Sequence, residues 1–180
     1  PINQKLGLEG VLHILNDAEI RLCFTDQKNS VLLPPGIETV MVDGADIPLP
    51  EASGRWTPFS PEPPDWATIM YTSGSTGTPK GVPITHAGYR WAMERFDFLR
   101  PVITSGATLV AAPLYHMNAQ FHLTSVLMLG GHAILLPRFD AALAWAALDR
   151  FEMARLTGVP TMFELLLRTM PSGATPRTQA

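Results

Sequence analysis

Between Thr72 and Lys80 the chain places two glycines, five hydroxyl side chains and one lysine, in the string Tyr71-Thr72-Ser73-Gly74-Ser75-Thr76-Gly77-Thr78-Pro79-Lys80-Gly81. Glycine allows positive φ and close backbone approach to a ligand. Exposed N–H groups and the five hydroxyls can donate to phosphate oxygens, and Lys80 adds a point charge. The inventory suits a polyphosphate; on composition alone, a hydroxyl-rich surface turn is the alternative. A Walker A loop is excluded, because that pattern ends Gly-Lys-Ser/Thr and here Pro79-Lys80-Gly81 stands in its place. Gly74-Ser75-Thr76-Gly77 also lacks the Gly-x-Ser-x-Gly spacing of a nucleophile elbow, so a covalent serine is not expected.

The remaining chemistry-bearing residues are sparse. His116 and His122 invite a metal reading, but no third cysteine, histidine or carboxylate stands at ligand spacing, which argues against zinc. His13, His86 and His132 read as structural. The single cysteine, Cys23, excludes an internal disulfide framework, and its apolar neighbours Leu22 and Phe24 suggest a buried, unreactive thiol. With 13 Lys/Arg against 16 Asp/Glu and no basic cluster, nucleic acid and anionic membranes are not expected partners. Any acidic substrate must be met by local positive groups.

The elements that would hold these residues follow from periodicity. A helix is expected over Leu8 to Ala18 with Leu8, Val11, Leu12 and Leu15 on one face, then a strand over Ile20 to Thr25 and a polar turn Asp26 to Ser30. Val40 to Val42 is a second strand. Six prolines between Pro48 and Pro64 mark a surface excursion that Trp56 and Phe59 could anchor. Trp66 to Tyr71 and Gly81 to Ile84 are extended runs flanking the glycine loop. Thr85 is an expected N-cap for a helix from His86 to about Leu99. Further on, strands at Thr108 to Ala112, His132 to Leu136 and Ala154 to Thr157 alternate with helices. Those helices are Phe121 to Leu129 (stopped by Gly130-Gly131), Ala141 to Phe151 (capped by Asp140, with Leu143, Ala147 and Leu148 inward) and Pro160 to Arg168. Trp145 is expected in the core. Alternation of this kind predicts α/β architecture. The apolar stretch Leu123 to Leu136 is interrupted by Gly130, Gly131 and His132, short of the ~20 residues a membrane-spanning helix needs. Pro1-Ile2-Asn3 shows no signal-peptide pattern, and a cytoplasmic setting is the expectation.

The string from Tyr71 to Gly81, preceded by Ala67-Thr68-Ile69-Met70 and followed by Val82 and Thr85-His86, closely resembles the phosphate-loop signature of the adenylate-forming superfamily. That group comprises acyl- and aryl-CoA synthetases, luciferases and peptide-synthetase adenylation domains. The resemblance extends over nearly the whole chain, through Asn16-Asp17-Ala18 to Asp26, Pro113-Leu114-Tyr115-His116, Phe139-Asp140 and Thr157-Gly158-Val159-Pro160-Thr161-Met162. Where peptide synthetases carry a Phe-Asp-x-Ser-type element this chain has Pro-Leu-Tyr-His, so it looks more like an acyl-CoA synthetase, similar to carnitine/crotonobetaine- and medium-chain-type ligases.

The resemblance implies an α/β fold, a partial acyl-CoA-synthetase-like large domain with ATP between its subdomains. It implies that Thr72 helps ligate Mg²⁺, that Ser73, Gly74, Ser75, Thr76, Gly77, Thr78 and Lys80 hold the phosphates, and that Lys80 and His116 serve catalysis. His116 would gate an acyl pocket lined by Met117, Asn118, Ala119 and Gln120; a core histidine held by a carbonyl is the competing reading, and a plain helix-start loop the competing reading for the four residues after it. Substrates would be a small carboxylic acid, ATP and CoA, as in fatty acid metabolism. No Tyr-Gly-x-Thr-Glu motif, ribose-binding aspartate or C-terminal-domain lysine occurs within residues 1–180. The expectation is therefore part of the N-terminal AMP-binding domain without its C-terminal lid, unable alone to complete adenylation. A non-catalytic nucleotide-binding module, and adenylation followed by transfer to a carrier protein or by oxidation, stay open.

Overall fold

The computed structural model describes residues 1–43, 60–72 and 77–174. The chain divides into two compact units, residues 2–87 and residues 88–180 with Pro1.

In the first unit, helix α1 (Gly7–Asp17) leads into β1 (Leu22–Thr25), the short helix α2 (Gln27–Ser30) and β2 (Glu38–Met41). Strands β1 and β2 pair in parallel from Leu22 opposite Glu38 to Thr25 opposite Met41. The residues expected as a polar turn after β1 instead form α2, because the Asp26 side chain accepts from the Asn29 N–H at 2.8 Å and caps a helical turn. Helix α1 buries Val11, Ile14 and Leu15, whereas Leu8 is half exposed. Val11 and Leu15 thus face inward as expected, and Ile14 joins them in place of Leu8. Leu22 and Phe24 are also exposed, so the apolar setting expected around Cys23 is not found, and its thiol is only partly covered. The proline-rich excursion lies largely outside the described residues, with Trp56 and Phe59. Strands β3 (Trp66–Thr72) and β4 (Lys80–Thr85) form an antiparallel hairpin. Helix α3 (His86–Phe96) follows, its first N–H groups donating to the carbonyls of Asp65 and Pro63.

The second unit is built on a parallel sheet in the order β6-β5-β7, formed by β5 (Ala107–Val110), β6 (His132–Leu135) and β7 (Met153–Thr157). Every residue of β5 is buried, as expected for a central parallel strand covered on both faces. Helices α4 (Arg100–Ser105), α5 (Met117–Met128), α6 (Ala141–Arg150) and α7 (Pro160–Arg168) complete it. The main core joins Leu109, Ala111 and Leu136 to Ala144, Ala147, Leu148 and Leu166. Asp140 caps α6 by accepting from the N–H groups of Ala142 and Leu143 at 2.9 and 3.1 Å. Here the expectation needs correction at one residue. Leu143 is 43% exposed and Ala144, at 0%, takes the inward position. Trp145 packs against this core and its indole N–H donates to the Leu166 carbonyl at 3.2 Å. Helix α5 begins four residues earlier than periodicity indicated, since Met117 to Gln120 already belong to its first turn. Among the described residues no helix is long and apolar enough to cross a membrane.

Truncation of Leu109, which is fully buried, should cost about 2–5 kcal/mol of stability in Leu109→Ala. Leu143→Ala should cost less than about 0.5 kcal/mol, as is usual for an exposed side chain. Chemical denaturation of the two variants in the full-length protein checks both values.

Candidate functional site: a clamped phosphate loop and a crevice at the sheet edge

Hairpin register decides what stands at the mouth of the glycine loop. Thr72 lies directly opposite Lys80, and Tyr71 opposite Gly81. Side chains alternate along a strand, so Thr72 and Lys80 share one face and Tyr71 occupies the other. Directly opposed residues on one face hold their Cβ atoms about 4.5–5.5 Å apart. A hydroxyl and an ammonium therefore converge on the same patch of space, both exposed. Among the described residues no carboxylate pairs with Lys80, which leaves its charge available. Ser73, Gly74, Ser75 and Thr76 lie outside the described residues. Gly77 and Thr78 are exposed, and Gly77 has φ of 85°, a left-handed conformation that costs a glycine little.

The other face of the hairpin is gripped by α1. The His13 Nε2–H donates to the carbonyl of Pro79 at 2.9 Å, immediately before Lys80. A carbonyl only accepts, so Nε2 carries the proton. One helical turn on, the Asp17 carboxylate accepts from the Tyr71 hydroxyl, immediately before Thr72. Positions four apart lie on one helix face, so a single face of α1 holds both legs of the loop. The rings of His13 and Tyr71 meet edge to face, 6.4 Å apart. Gly81 makes room for this: a Cβ there would come within 3.0 Å of Ile69 Cγ2 and 3.1 Å of the Tyr71 ring. Sequence reasoning missed Asp17 as a site residue and left His13 as merely structural. The available signal was their spacing of four on a helix, which has meaning only once the hairpin is known to lie beside it.

In the second unit, His116 is exposed, stands at the N-cap of α5, and lies against the Tyr115 ring with centroids 4.6 Å apart. It is not the core histidine of the competing reading. Met117 and Asn118 are exposed on the first turn of α5, and Gln120 is partly buried. Ala119 is fully buried among Val110 and Ala112, with Leu114 and Met162 packed against them. The segment Pro113–His116 and the first turn of α7 thus meet at the carboxyl end of β5. That edge is where open parallel sheets bind ligands, in the crevice beyond the strand ends. His122 does not join His116 in a metal site. Its Nδ1 accepts from Arg155 Nη2 at 3.0 Å, and burial first, then the Arg155 charge, lowers its pKa. No group of three or more metal-ligating side chains occurs among the described residues. His132 meets the Phe151 ring edge-on.

The model of the AMP-binding enzyme family matches residues 1–179. The chain belongs to that family. Over 176 residues it is 32% identical to a feruloyl-CoA synthase of an Amycolatopsis species, covering 92% of this chain and 34% of the relative. It is 31% identical over 194 residues to the sulfoacetate–CoA ligase of Cupriavidus necator, with 98% and 37% covered. The chain therefore spans about a third of the length of these relatives. Among solved structures, the O-succinylbenzoate coenzyme A synthetase of Bacillus subtilis, in complex with ATP and a magnesium ion, superimposes with a TM-score of 0.78. At 23% identity, over 99% of this chain and 37% of that one, the likeness establishes a shared α/β fold.

The clamp has a titration signature. Burial first, and then donation to Asp17 and the charge of that carboxylate, pushes the Tyr71 phenol up from 10.0 to about 12. The folded state thus holds the proton more tightly than the unfolded chain. The resulting stability is present below pH 10 and is lost as pH rises from there to about 12. Ultraviolet titration of tyrosinate should show this component moving toward lower pH in Asp17→Asn. An unmoved Tyr71 would show that the two groups are not coupled.

Proposed function

We propose that the full-length protein is an ATP-dependent carboxylic acid:CoA ligase, and that residues 1–180 form part of its N-terminal AMP-binding domain. The observation that carries this reading is the opposition of Thr72 and Lys80 across the hairpin mouth, with Gly77 at positive φ and the Pro79 carbonyl held from behind. A carboxylate is a poor electrophile, and joining it to AMP supplies a good leaving group. The protein's task is to shield phosphate charge as pyrophosphate departs, by placement and electrostatics.

In this reading the hydroxyls and N–H groups from Thr72 to Thr78 hold the phosphate oxygens, and Lys80 meets their charge. Thr72 offers an oxygen ligand, the hard donor type that Mg²⁺ prefers. Magnesium, when bound, neutralises charge on the departing phosphates. His13 and Asp17 do not touch the nucleotide; they fix the loop so that little conformational freedom is lost on binding. At the crevice, His116 on the rim of α5 packs against the acid or its adenylate. Met117, Asn118, Ala119 and Gln120 form the adjoining wall, with Ala119 setting its depth from the core. The CoA thiol then attacks the adenylate. The relatives' names span an aryl acid and a sulfonated acid, which supports ligation to CoA over peptide-synthetase chemistry. A place in fatty acid metabolism and a cytoplasmic setting belong to the same proposal.

Full-length protein incubated with Mg-ATP, CoA and a panel of aliphatic, aromatic and dianionic acids should form an acyl-CoA with at least one of them. Formation with none would count against the ligase. Lys80→Ala should lower kcat/KM for ATP by roughly 10²–10³-fold, the usual loss when a preorganised charge-stabilising group is removed.

A further inference from the structure

Among the described residues of the second unit, Arg155 is the arginine that is not exposed, and no carboxylate pairs with it. Four arginines pair with carboxylates at the surface, Arg90 with Glu94, Arg100 with Asp97, Arg138 with Asp140 and Arg168 with Glu164. Arg155, in the interior of β7, is less exposed than these and has no carboxylate among the described residues. Its Nη2 donates to His122, a group that is neutral when it accepts through Nδ1. Its Nη1 is sealed from water and has no hydrogen-bond partner at all. Directly across the ladder stands Thr108, fully buried, and its hydroxyl is also unpartnered. Buried charges are ordinarily paired and buried donors satisfied. Three elements, β5, β7 and α5, thus bring unsatisfied positive and polar atoms together where no carboxylate among the described residues pairs with them.

Their position decides from which side an anion could reach them. Arg155 lies two residues before Thr157, where β7 ends, and Thr108 two before Val110, where β5 ends. Both therefore sit near the carboxyl ends of their strands, the edge at which open parallel sheets bind ligands. The anion that fits is therefore one presented from the crevice.

Resting on the ligase reading above, we propose that Arg155, backed by His122 and Thr108, is a specificity-determining residue that binds a second, non-reacting anionic group, carboxylate or sulfonate, at the far end of the acid substrate. A carboxylate locked in a guanidinium fork is a poor nucleophile, so this anion is not the one that becomes adenylated. Planar guanidinium matches such a group with two parallel N–H donors. A turn of the Arg155 side chain toward the crevice frees Nη1 to serve. Burial lowers the pKa of both Arg155 and His122, and at His122 the Arg155 charge lowers it further.

The test uses full-length protein with Mg-ATP and hydroxylamine, which traps the adenylate as hydroxamate without any need for CoA. Glutarate is compared with pentanoate, and sulfoacetate with propionate. Wild type should prefer the dianionic member of at least one pair. Arg155→Met should cut that preference at least about tenfold, the scale of a lost hydrogen bond to a charged group, through activity lost on the dianion and retained on the monoanion. Arg155→Lys, which keeps the charge and loses the fork, should fall between them and guards against misfolding of the methionine variant. Equal loss on both members of a pair would overturn the proposal, as would an unchanged ratio or a wild type that favours the monoanions. Hydroxamate from no acid, in wild type as well, would instead defeat the ligase reading itself.

Discussion

Everything proposed for the nucleotide depends on the pairing register of one hairpin. A slip of one residue between β3 and β4 would turn Thr72 and Lys80 to opposite faces, because side chains alternate with a period of two. The register is pinned from outside the hairpin. His13 holds the Pro79 carbonyl and Asp17 holds the Tyr71 hydroxyl, so both strands are tied to one face of α1 at the level of the loop. Gly81 completes the arrangement by leaving room for the Tyr71 ring. The constraint explains how a loop rich in glycine and small hydroxyl residues can have defined ends.

The second unit reaches its crevice by a different route. There a fully buried central strand, β5, sets the positions of α5 and α7 through the cluster around Val110, Ala112 and Ala119. His116 is delivered to the rim by the turn Pro113–His116, whose closing bond runs from the His116 N–H to the Pro113 carbonyl at 3.0 Å. Packing supplies the wall, and the turn supplies the exposed side chain. The unit also carries Arg155, hydrogen-bonded to His122 and opposite Thr108, a polar group that hydrophobic packing does not require.

Much of this was legible in the sequence because local rules and tertiary structure agree. Asp140, Pro160 and the alternation of apolar runs with helical periodicity marked α6, α7 and the three strands to within two residues, whereas α5 starts four residues early and α4 carried no signal. The glycine loop pointed to its family by its string, whereas its composition alone left a surface turn open. What escaped were features that depend on neighbours distant in sequence. Leu143 and Ala144 exchange roles because the helix's rotation is set by the sheet, which periodicity alone does not fix. The short helix α2 hid behind polar residues because its stability comes from the Asp26 cap. Asp17 offered only its spacing of four from His13, which has meaning only beside the hairpin, and Arg155 is a lone charge in an apolar strand.

The central claim is that the loop from Thr72 to Lys80 serves transfer of AMP to a carboxylate. It is tested most directly by ATP–pyrophosphate exchange with the full-length protein, which reports reversible adenylation without regard to the acceptor. The account predicts exchange that requires an added carboxylic acid and is abolished together with Thr72 and Lys80 in the double alanine variant. Exchange that proceeds equally without acid, or survives in that variant, would contradict it.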